Sequence, residues 1–252
     1  MRQLKVPFKW VGITLLVLLL AGGMVRLGFW QLDRLRQRQE LNAATRAQLA
    51  MSPVDLNVVP DLPGLDGMEY RPVIARGVYN FSEQVVLRNK SWQGQPGGHL
   101  LTPLIISGTQ EAVIVDRGWV QLTDIMSGNL SQYDEPGEVT VQGAIRLSQT
   151  DYPVGSAVDP TVAPGGGPLR ALNLVNLGRL ERQVAEPLLP VFIQQQPDSQ
   201  WTRLPDRVPA APDLSDGPHL SYAIQWFSFT AILLAGYPLL LKKQLAPGKR
   251  PV

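Results

Sequence analysis

The sequence predicts an α+β membrane protein in which two transmembrane helices flank an extracytoplasmic antiparallel β-barrel or sandwich-like domain carrying a short helix. Three observations lead there. Residues 11–25 and 219–241 are free of charge and strongly apolar. All 21 acidic residues lie between them, within 31–217. The same central stretch holds short runs rich in β-branched and aromatic residues, separated by Gly, Pro, Asn and Ser.

The second apolar run is the clearer span. Twenty-three uncharged residues make a helix of roughly 34 Å, enough to cross a hydrocarbon core of about 30 Å; the segment is assigned to 218–241. The first is assigned to 10–30, which places Arg26 about one turn inside the outer end, where its long side chain snorkels to the interface. A cleaved signal peptide competes with a retained anchor here, because a basic start, an apolar stretch and Ala21-Gly22-Gly23 are what such peptides contain. Met24 and Val25 prolong the run and Trp30 suits an interfacial belt, which favours the anchor.

Charge sets the expected orientation. Residues 1–9 carry Arg2, Lys5 and Lys9, and the tail 242–252 carries Lys242, Lys243, Lys249 and Arg250, with no acid in either. Residues 31–217 hold 15 basic against 21 acidic residues, a balance of −6. The positive-inside bias then puts both termini in the cytoplasm and 31–217 outside, across a bacterial plasma membrane. Arg34, Arg36 and Arg38 oppose it with little weight, since a long domain translocates largely regardless of its charge. The basic surplus sits in the flanks, so nucleic acid is not an expected partner, whereas membrane lipid is. With no cysteine, thiolate catalysis, disulfides and Cys-based metal sites are excluded.

Within the central block, 31–50 lacks Pro and Gly and continues the first helix into water. A Pro- and Gly-rich linker follows. The β-rich core spans 69–196, with strands expected at "YRPVIARGVYN", "EQVVLRNKSW", "GHLLTPLIIS", "EAVIVDRGWV", "GEVTVQGAIRLS" and "LLPVFIQQQ". Residues 151–170 read as a loop, and their triple glycine lacks the Lys-Ser or Lys-Thr of a phosphate loop. Residues 172–187 read as a short helix ending at Pro187. In "VDRGWV", Asp116 and Arg117 are expected in a turn-like strand end, with Gly118 admitting backbone and Trp119 packing. Neither GxSxG nor HExxH occurs, so no hydrolytic centre is expected.

Four stretches, "LGFWQLDRLRQR" at 27–38, "YRPVIARGVY" at 70–79, "GHLLTPL" with "VDRGWV" within 98–120, and "HLSYAIQWFSF" at 219–229, resemble in type, order and spacing the surfeit-locus-1 (Shy1-like) family of cytochrome oxidase assembly proteins. Arg38 stands where that family usually has Lys, and 151–170 has no counterpart. The resemblance implies a non-catalytic factor that matures a haem-copper oxidase by binding haem a and delivering it to the large oxidase subunit, with haem a synthase as a further partner. A haem-free membrane chaperone that stabilises an oxidase subunit is the alternative.

Haem needs few protein ligands, and a neutral imidazole is the commonest axial one. His219 is the candidate metal ligand. On a helix His219, Tyr222, Ala223, Trp226, Thr230 and Leu233 share one face by 3 and 4 spacing, so Tyr222 and Trp226 become candidate aromatic walls. Trp30 and Gln31 are candidate caps of the same pocket, and Arg34 or Arg26 candidate partners of the propionates. The plainer alternative is an interfacial belt of Tyr222 and Trp226 with His219 bonded to backbone. His99 is expected to be an ordinary half-exposed strand residue.

Overall fold

The structure is a computed structural model that describes residues 8–58, 64–151, 158–159, 169–198 and 200–245. The loop 151–170, its triple glycine included, falls largely outside that set, as do most of the basic termini. The fold is α+β, with a long apolar helix at each end of a β-barrel domain. Two compact units are separable: residues up to Ala44 together with those from Asp213, and Thr45–Pro212.

The first unit is a helical hairpin. α1 runs Phe8–Leu49 without a break and α4 runs His219–Leu245. Both are long and apolar enough to cross a membrane, and only 11% and 6% of their most apolar windows are buried within the protein. Along α1, positions 10, 14, 17, 21, 24, 28, 31, 35, 38 and 42 are all buried or half-buried, alternating steps of four and three. That is the narrow seam of antiparallel coiled-coil packing. Thr14 meets Tyr237 at one end and Gln31 meets His219 at the other, so the helices run antiparallel. Between them Gly28 lets Phe227 approach: a Cβ there would stand 2.6 Å from its ring. Small residues in the seam permit such close helix contact where no hydrophobic effect drives it. Beyond the apolar part, Asn42 Nδ2 donates to the Leu214 and Ser215 carbonyls at 3.0 and 3.1 Å. Arg38 pairs with Asp213 at 3.2 Å, which closes the hairpin's polar end.

The second unit is built from β1 Val54–Asp55, β2 Pro72–Tyr79, β3 Val85–Trp92, β4 Gln95–Ile106, β5 Ala112–Gln121, β6 Glu138–Leu147, β7 Ala171–Leu172 and β8 Leu188–Gln195. The six expected strands all form. The sheet closes because the 12-residue β4 outlasts β3. Its first half pairs with β3, and its last three residues pair antiparallel with β2, Tyr79 opposite Leu104. The ring is therefore β2-β6-β8-β5-β4, mainly antiparallel with a parallel β5·β8 pair. Alternate residues fill it: Val73, Ala75, Leu104, Val113, Val115, Val141, Val191 and Ile193 form the interior cluster. The opposite side chains of β5 and β8, Ile114 and Phe192, join a second cluster under Leu172, Leu177 and Leu180. Because β5 is covered on both faces, it reads as a continuous apolar run with two charges inside it.

Three elements depart from expectation: the stretch read as a linker contributes β1, whose Val54 and Asp55 pair parallel with Val73 and Ile74. The helix at 172–187 shrinks to one turn, α3 Leu177–Leu180. Ala171 and Leu172 instead pair with β3 as β7, and the Asn176 side chain caps the turn by accepting from the Arg179 amide. Burial of Leu172 in the second cluster outweighs local helix propensity. Conversely, α2 Leu122–Ser127 was not expected; its signal was Gly128, which ends the helix in left-handed conformation.

Candidate cofactor site between the two long helices

His219 opens α4 after Gly217-Pro218, where proline suits a first helical turn. Its Nδ1 lies 2.9 Å from Gln31 Oε1 on α1. A carbonyl oxygen only accepts, so Nδ1 is the donor of this contact, and in the neutral imidazole Nε2 is then the nitrogen with the lone pair. Gln31 is 9% exposed, held in the seam by the turn above Gly28. This is the arrangement in which an outer hydrogen bond sets the tautomer of a ligating histidine. The pair joins two residues singled out from the sequence across the two helices.

The others are placed around it rather than against it. Ala223 and Thr230 are buried and His219, Trp226 and Leu233 half-buried, on the side of α4 that contributes Phe227 to the Gly28 contact. Tyr222 is 45% exposed, at the edge of the shared face: a step of three from His219 leads to one helix edge, a step of four to Ala223 toward the other. Trp226 meets Phe229 edge-on at 6.3 Å. Trp30 is 42% exposed, with the Arg34 guanidinium 5.7 Å from its ring centre. Arg34 also donates to Gln37 Oε1 at 3.1 Å. Among the described residues no three His, Asp or Glu side chains gather as metal ligands.

A second polar cluster, in the barrel domain, escaped sequence reasoning. Asp116 and Arg117 lie in the middle of β5, not at a turn, and are 5% and 1% exposed. Neighbours on a strand point to opposite faces. Asp116 accordingly takes His99 Nδ1, 2.9 Å from each carboxylate oxygen, and accepts from the Gly118 amide at 3.1 Å. The His99 side chain is only 12% exposed, more buried than expected. Arg117 projects the other way and donates to Gln84 Oε1 at 3.1 Å, to Glu135 at 2.8 Å and to the Tyr133 carbonyl, stacked 4.8 Å from the Tyr79 ring. Arg207 shares Glu135 at 3.4 Å and covers Trp201 at 3.8 Å. Burial pushes the Tyr79 hydroxyl well above its ordinary pKa and lowers that of Arg207. Gly118, at φ 119°, lets the Asp206 carbonyl come so close that any Cβ would clash. Trp119 and Asp206 then exchange two backbone hydrogen bonds of 2.8 Å. The signal for this cluster was present in "VDRGWV": two charges inside an otherwise apolar run.

Comparison with known proteins follows the same outline. A family model described as SURF1 family matches residues 18–231. The chain is 33% identical over 116 residues to the cytochrome oxidase assembly protein SHY1 of Saccharomyces cerevisiae, covering 44% of this chain and 29% of that one. It is 26% identical over 152 residues to surfeit locus protein 1 of Takifugu rubripes, covering 54% and 62%. An uncharacterised SURF1-like protein of Mycobacterium bovis is 29% identical over 205 residues, covering 79% and 71%. The match thus spans less than two thirds of the yeast and pufferfish proteins.

Proposed function

The chain belongs to the SURF1 family, and from that premise we propose that it is a non-catalytic assembly factor for a haem-copper cytochrome oxidase which binds haem a through His219. It would pass that haem to the large oxidase subunit, with haem a synthase a further partner, from a bacterial plasma membrane in which both termini are cytoplasmic. The observation that carries the reading is the His219–Gln31 pair: Gln31 engages Nδ1, and Nε2 is the ring nitrogen that would meet iron. Haem a, when bound, would supply an electron-poor iron for that lone pair. Gln31 holds the ring in orientation, and Trp30, Arg34, Tyr222 and Trp226 stand within two turns of the pair along their helices, at the polar end of the hairpin. A family relative named for oxidase assembly supports the partner.

A second reading, that the chain stabilises an oxidase subunit without holding haem, is favoured by the closed seam: Ala223 is 1% exposed and Phe227 fills the space beside Gly28. A strain whose own copy of this gene is deleted separates the two. Supplying the wild-type chain should restore assembled oxidase with its full haem a content, while His219→Ala should restore the polypeptides with haem a depleted. Restoration of both by His219→Ala would favour the haem-free reading. No restoration of oxidase by the wild-type chain would overturn the assembly role itself.

A further inference from the structure

At the outer end of α1 four arginines follow one another, and they differ in what holds them. Arg36 lies 3.6 Å from Asp33, and Arg38 3.2 Å from Asp213. Arg26 and Arg34 have no carboxylate partner among the described residues, and Arg34 touches only the neutral Gln37 and the Trp30 ring. Arg26, Trp30 and Arg34 are spaced four apart, so they stack along one side of the helix. Helical side chains lean toward the N-terminus, and Arg34 accordingly lies back over Trp30 at 5.7 Å. Arg26 comes from the other side: with Leu27 and Trp30 it lines an open groove of about 330 Å³. Being one turn inside the apolar span, it must reach outward past Trp30 to find a polar environment.

Two guanidinium groups without a carboxylate partner among the described residues thus flank one exposed indole, Arg34 lying over it and Arg26 sharing its groove, near the end of the apolar run. A guanidinium fork matches phosphate oxygens bidentately. The groove floor, Leu27 at 39% and Trp30 at 42% exposure, is apolar and continues into the hydrocarbon-facing side of α1, which suits an acyl chain. The geometry points to a binding site for one acidic phospholipid, its phosphate clamped between Arg26 and Arg34 and its first acyl carbons on Leu27 and Trp30. The site gives Arg26, Trp30 and Arg34 a role other than capping a haem or pairing with its propionates. It lies on the flank of α1, whereas Gln31 points into the seam toward His219.

The test uses the full chain, reconstituted in nanodiscs of phosphatidylethanolamine and phosphatidylglycerol at 4:1 and released into a mass spectrometer. The wild-type chain should retain one phosphatidylglycerol in excess of its share of the bilayer, and excess inorganic phosphate should not displace it. Each arginine is expected to contribute about fivefold to retention, so Arg26→Gln with Arg34→Gln should abolish the excess, whereas Arg36→Gln, which removes a paired cation, should keep it. Retention of the two lipids in their bulk ratio by the wild-type chain would overturn the site regardless of how any variant folds. So would an unchanged excess in the double variant, or displacement by inorganic phosphate, which would mark a simple anion site instead.

Discussion

At the scale of single residues, Arg117 is the most heavily committed side chain in the barrel domain. Its side chain is fully shielded from solvent, and one guanidinium serves Gln84, the Tyr133 carbonyl and Glu135. Removing one partner of a buried pair leaves the other charge without compensation, at about 3–5 kcal/mol. Arg207 still reaches Glu135 at 3.4 Å, so Arg117→Ala should fall near the lower end of that range. It should appear as a lowered urea midpoint for the full chain in detergent. Arg117→Lys should recover only part of the loss, because an ammonium cannot reproduce the planar fork. Full stability in Arg117→Ala would show that the network contributes nothing net. This cluster was legible only as an anomaly. Two adjacent charges suggest a turn when only local pattern is weighed, and what makes them tolerable inside β5 is partners 17 to 33 residues away, His99, Glu135 and Gln84, with Arg207 sharing Glu135. His219 was easier to read, because Pro218 and the apolar run after it already place it at a helix start. Its partner Gln31 follows only from pairing the two helices.

At the scale of elements, strand positions were readable because alternation and turn residues are local. Barrel closure was not, because it depends on β4 outlasting β3 and meeting β2 with its last residues. The hairpin of α1 and α4 depends in the same way on one close approach. Gly28→Leu would drive a side chain into the Phe227 ring, which already stands 2.6 Å from where a Cβ would lie. Overpacking of this kind costs about 1–3 kcal/mol, and here it should also part Gln31 from His219 one turn away. The expected result is a lowered melting temperature of the purified chain, together with loss of any spectral feature that depends on His219. Gly22→Leu, at a position with nothing within 4 Å, should change neither. Equal effects at positions 22 and 28 would contradict the seam described above.

At the scale of the whole molecule, the arrangement is that of a membrane-anchored β domain held by two helices whose short flanks are basic. The proposed orientation rests on those flanks: Lys242 and Lys243 end α4, and the acids are confined to 31–217. A reporter that works only in the cytoplasm should be active when fused after residue 252 and silent when inserted near 160; the opposite pattern would reverse the topology. The central claim, however, is that one histidine at the hairpin's polar end holds iron, and it is tested most directly by light. The full chain, purified from cells that make haem a, should show the absorption of ligated haem a. His219→Ala should be inserted and folded but colourless, while His99→Ala, whose side chain bonds Asp116 in the barrel domain, should keep the spectrum. An unchanged spectrum and yield in His219→Ala would contradict the assignment and leave His219 as an interfacial residue bonded to Gln31.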